Sequence, residues 1–124
     1  MEMVHFNWTL GWALMMLGLV SGALLGLSFH RRDFLGGYDA WQRRLTRLGH
    51  IAFMALGMLN LVYAVGGHAD GIIGCCTSAA LTVGSITMPL VCFASAWRCR
   101  LKWLFAIPVA ALALAMALAF WSSL

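Results

Sequence analysis

The chain has 124 residues, 63% of them hydrophobic and only 10% charged, with a formal net charge of +4. Soluble domains carry about 25% charged residues, and a chain this short buries only about 60–70% of its surface, so the surplus apolar surface must face lipid. A soluble globular domain is excluded. A nucleic-acid binder is excluded too, because it would spread basic, polar and aromatic groups over a wet surface.

The first predicted span runs from about Trp8 to Phe29 and holds no charged residue. At about 1.5 Å per residue it is long enough to cross a hydrocarbon core of about 30 Å. Its leading flank carries Glu2 and no basic residue, which fits a span and not a secretory leader. The second predicted helix covers residues 38–65. It starts after the breaker Gly36-Gly37, with Tyr38, Trp41, Leu45 and Leu48 on one face and Arg43, Arg44 and Arg47 on the others. Asp39, four residues before Arg43, suits an i,i+4 helix pair. This amphipathic start is expected at the headgroup layer.

A tight turn follows at residues 66–71, with Asp70 as a candidate N-cap. The third helix, 72–97, carries Gly74, Gly84 and Pro89, and the proline is expected to bend it. The fourth, 103–121, is rich in Ala and Leu and has Pro108 near its start.

All eight Lys and Arg residues fall in two stretches. Arg31, Arg32, Arg43, Arg44 and Arg47 follow the first span; Arg98, Arg100 and Lys102 follow the third. The positive-inside rule then places both stretches in the cytoplasm and both termini outside. Trp8, Trp12 and Trp121 mark one interface; Trp41, Trp97 and Trp103 mark the other. The expected fold is a single domain, an all-α integral membrane protein of four transmembrane helices in an up-down-up-down bundle. The expected location is a bacterial inner membrane.

Four features bear on function. Gly18, Gly22 and Gly26 recur every four residues, with Gly11 and Ser21 nearby, and open a groove where a second helix backbone can approach. Ala106, Ala110, Ala113 and Ala117 make a second smooth face. Asn60 is the strong polar side chain deep in a span, and interhelical hydrogen bonding is its expected role.

The histidines pair by helix end: His5 with His68 outside, His30 with His50 inside. Facing histidines on adjacent helices can ligate haem iron or hydrogen-bond a quinone. The helical lengths between them differ, about 37 Å for His5–His30 against about 27 Å for His50–His68, so the inner pair is the better candidate. Gly49 beside His50 leaves room for a flat group such as haem b.

Cys75, Cys76, Cys92 and Cys99 are soft-metal candidates. Their spacing matches no zinc or redox motif. Adjacent cysteines on a helix diverge by about 100°, and buried cysteine ordinarily behaves as a small hydrophobe.

No Asp, Glu, Lys or Arg lies well inside a span, whereas proton-coupled transporters, including the small multidrug exporters, use such a group. No nucleophile–base pair, acid pair or nucleotide loop is visible. The leading expectation is a small non-catalytic membrane subunit or scaffold. Its partners would be the lipid bilayer and either other subunits or further copies of itself, and not nucleic acid. The alternatives are a haem- or quinone-binding redox protein using His30 and His50, then His5 and His68, and a soft-metal carrier using the four cysteines.

Overall fold

The computed structural model describes residues 2–66 and 71–124. Four helices make the fold: α1 (Glu2–Ser28), α2 (Trp41–Val65), α3 (Gly71–Trp97) and α4 (Ala106–Ser122), the last led in by a 3-10 segment, Cys99–Phe105. No strand occurs among the described residues. Four segments are long and apolar enough to cross a membrane, the 3-10 segment and α4 forming one of them. The chain is an all-α, multi-pass membrane protein with a four-helix bundle.

Each helix packs on the next in sequence, and α1 also touches α3. α2 and α3 are therefore central, with α3 the most enclosed and α4 the least. The short connections make successive helices antiparallel. Residues 29–47 and 97–105 consequently share one end of the bundle, and all eight Lys and Arg residues gather there. Trp41, Trp97 and Trp103 stand exposed at this end; Trp8, Trp12 and Trp121 stand exposed at the other. An amphipathic indole suits each headgroup layer.

One departure from the predicted boundaries is at α2, which starts at Trp41 and not at Tyr38. Gly36 and Gly37 take φ of 83° and 94°, and Ala40 is extended at φ −63°, ψ 139°. Tyr38 and Asp39 thus remain in the connection. Asp39 meets Arg44 and not Arg43, at 3.5 Å with both side chains exposed, a pair worth little in water.

Arg43 is not on a solvated face. It is 7% exposed, and its guanidinium lies 4.3 Å from the centre of the Phe29 ring. Arg47 stacks on Tyr38 at 4.9 Å. Because α2 is packed on two sides, no single amphipathic face governs it: of Tyr38, Trp41, Leu45 and Leu48, Leu45 alone is buried.

α1 begins at Glu2, ahead of Trp8, and brings Asn7 into the bundle. α3 runs unbroken through the buried Pro89. Pro108 sits in the first turn of α4, where backbone N–H groups have no intrahelical acceptor and a missing one costs little. The turn predicted at 66–71, its Asp70 cap and His68 fall at residues 67–70, outside those described.

Candidate functional site

On α1 the buried residues are Asn7, Gly11, Leu14 and Gly18, spaced four, three and four apart. That is the 3.5-residue seam of helices that wind about each other. The glycines let the backbones meet. A Cβ on Gly57 would stand 2.9 Å from the carbonyl oxygen of Gly11, and one on Gly11 would stand 2.9 Å from that of Gly57. Farther down, a Cβ on Gly18 would strike Met54, and one on Gly22 would lie 2.6 Å from Cε1 of His50. A four-residue ladder drifts off a 3.5-residue seam, so Gly26 leaves it. Gly26 is exposed, with no atom within 4 Å of where its Cβ would be.

This register sets the histidines. His50 is half-buried opposite Gly22, and its Nδ1 is 3.2 Å from the hydroxyl of Ser21, within hydrogen-bonding distance. His30 is exposed in the turn that leaves α1. His50 thus faces Ser21 and Gly22 of α1, while His30 stands in the turn beyond that helix. The space beside Gly22 is filled by the His50 ring, and that beside Gly49 by the Phe93 ring, 2.9 Å from where a Cβ would stand. The flat groups these two glycines admit are the chain's own. His5 is exposed on the first turns of α1.

Two asparagines fasten the bundle in one pattern. The Nδ2 of Asn60 donates to the Leu56 carbonyl at 2.8 Å and to the Ser85 hydroxyl at 2.7 Å. The Nδ2 of Asn7 donates to the Met3 carbonyl at 3.0 Å and to the Ser78 hydroxyl. Each amide serves its own helix four residues back, then reaches α3. Ser78 and Ser85 are seven residues apart, so they share one face of α3 with Leu81 and Cys92 between and beyond them. All four polar side chains are fully buried. Such interhelical bonds average about 0.6 kcal/mol in membranes and reach about 1.7. Tyr63, donating to the Gly74 carbonyl at 3.1 Å, and Trp41, donating to the Ser95 carbonyl at 3.2 Å, pin α2 to α3 near its two ends.

Asn60 does what its sequence position predicts. Asn7 was missed because it precedes the predicted span. The available signal was the run Asn7, Gly11, Leu14, Gly18, which continues the seam upstream.

The cysteines do not form one cluster. Cys75, Cys76 and Cys99 are exposed and Cys92 is buried. Cys75 and Cys99 lie at opposite ends of α3 and its continuation. Among the described residues no group of three or more His, Cys, Asp or Glu side chains is placed to hold a metal ion.

The outward surface is smooth. Ala106, Ala110, Ala113 and Ala117 of α4 are all exposed, while Ala115 and Pro108 face α3. A groove of about 480 Å³ opens between α1 and α2 near Trp12, Met15 and Val65, and a smaller one of about 160 Å³ opens between α2, α3 and α4 near Val62, Leu81 and Ala115. Their walls are almost wholly apolar. No protein-family description matches this chain, and no curated protein or solved structure matches it either.

Proposed function

We propose that this protein is a non-catalytic membrane subunit that packs against a partner helix through the outer face of α4. The observation that carries the reading is the exposed stripe Ala106, Ala110, Ala113 and Ala117, spaced four, three and four apart. The same spacing on α1 is occupied by α2. Small residues in this register let a helix approach closely, and in lipid such packing is a main source of association.

The interior supports a structural role. Two buried amide–hydroxyl pairs, Asn7 with Ser78 and Asn60 with Ser85, join its helices from within. Within the membrane, the basic end is assigned to the cytoplasm by the positive-inside rule, and the location proposed is a bacterial inner membrane. The partner is a second copy of this chain or another subunit with a small-residue face.

Extraction from native membranes in polymer-bounded lipid discs, followed by mass measurement, tests the reading. The expected particle contains more protein than one 13.5 kDa chain. A particle holding one chain and lipid alone would overturn it.

A further inference from the structure

The segment Cys99–Phe105 is a 3-10 helix, with three residues per turn, so side chains three apart stand over one another. Cys99 aligns with Lys102, and Arg100 with Trp103. These four residues line an open groove of about 430 Å³ at the basic end of the bundle. The groove lies just before α4, at the depth where Trp103 is 81% exposed.

Its two cations are uncompensated. Among the described residues the one ion pair is Arg44 with Asp39, and Arg98 adds a third positive charge beside the groove. The other basic stretch is partly engaged by the chain itself: Arg43 lies on Phe29, Arg47 on Tyr38, and Arg44 on Asp39. Among the described residues nothing comparable holds Arg100 or Lys102.

We propose that this groove binds the headgroup phosphodiester of an anionic phospholipid in the leaflet facing the basic end. A guanidinium offers a planar fork to two phosphate oxygens, and an ammonium adds a compact charge beside it. Trp103 lies against the glycerol and upper acyl region, where indoles are favoured. The aliphatic stems of Arg100 and Lys102 complete the apolar wall. A lipid fits better than free phosphate because the groove opens next to a membrane-spanning helix. The inference uses the membrane topology and does not depend on the α4 docking face.

The test uses the full chain in mild detergent and native mass spectrometry, with phosphatidylglycerol and phosphatidylcholine as probes. Phosphatidylglycerol is expected to stay bound preferentially. Juxtamembrane basic residues each contribute about 1 kcal/mol to anionic-lipid attraction, so Arg100→Gln with Lys102→Gln is expected to weaken it about 30-fold. Arg31→Gln with Arg32→Gln changes net charge equally, at two exposed side chains outside the groove, and is expected to weaken retention clearly less, because Arg100 and Lys102 also contact the phosphodiester directly. Both pairs should elute as the wild type does, since the side chains are exposed. Equal retention of the two lipids would overturn the proposal, as would equal losses from the two variant pairs. Displacement of the lipid by inorganic phosphate at matched concentration would reassign the groove to a free anion.

Discussion

The inner seam of α1 and the outer face of α4 share a four-three-four spacing of small or compact residues and differ in what lies against them. On α1 the seam is filled: Gly11 meets the backbone of Gly57, Gly22 meets His50, and Asn7 reaches Ser78. On α4 the stripe Ala106, Ala110, Ala113 and Ala117 is exposed. Spacing alone makes a surface that a helix can approach. On α1 two further properties go with occupancy: glycine in place of alanine, which brings backbones together, and polar groups that need partners inside an apolar medium. α4 has the spacing without either, which suits a face that assembles after the chain has folded.

Substitutions can break the comparison at its filled side first. Gly57→Leu should have the largest effect, because a Cβ there already meets the Gly11 carbonyl at 2.9 Å and the Met15 amide nitrogen at 3.0 Å, so backbone must move. A loss of about 3 kcal/mol, at the upper end of overpacking costs, is expected by unfolding in mixed micelles. A stability equal to the wild type would mean that α1 and α2 do not meet at Gly57.

Gly22→Ala should cost less, about 1 kcal/mol, since the imidazole of His50 is the obstacle and a side chain can turn aside. Combining it with His50→Ala should recover part of the loss; strictly additive losses would separate the two residues. Ser85→Ala removes the acceptor of Asn60 and is expected to cost about 0.6–1.7 kcal/mol, read in the same unfolding assay. On the empty side, Ala113→Leu and Gly26→Leu should each change the stability of the isolated chain by no more than about 0.5 kcal/mol. Ala113→Leu should nonetheless shift the native particle toward a single chain.

Much of this architecture is legible in the residues. The four spans follow from uninterrupted apolar runs, and the gathering of basic residues at one end follows from Arg31–Arg47 and Arg98–Lys102 with an even number of crossings between them. Asn60 stands out as a lone amide in a hydrophobic helix. What is not legible depends on register. Gly26 looks equivalent to Gly18 and Gly22 by a four-residue rule, but a 3.5-residue seam turns it outward. The seam that begins at Asn7 also sets His50 opposite Gly22, a neighbour that its place near an inner helix end does not reveal. Arg43 looks solvated because hydropathy does not record that Phe29 folds back over it.

The α4 stripe is proposed to receive a helix of another polypeptide in the way that the α1 seam receives α2. Photo-crosslinking in native membranes addresses it directly, with the reactive residue placed at Ala113 on the α4 stripe and, in a second protein, at Leu24, an outward position of α1 that is 61% exposed. A crosslink to protein is expected from position 113 and adducts to lipid alone from position 24. Lipid adducts alone from position 113 would contradict it.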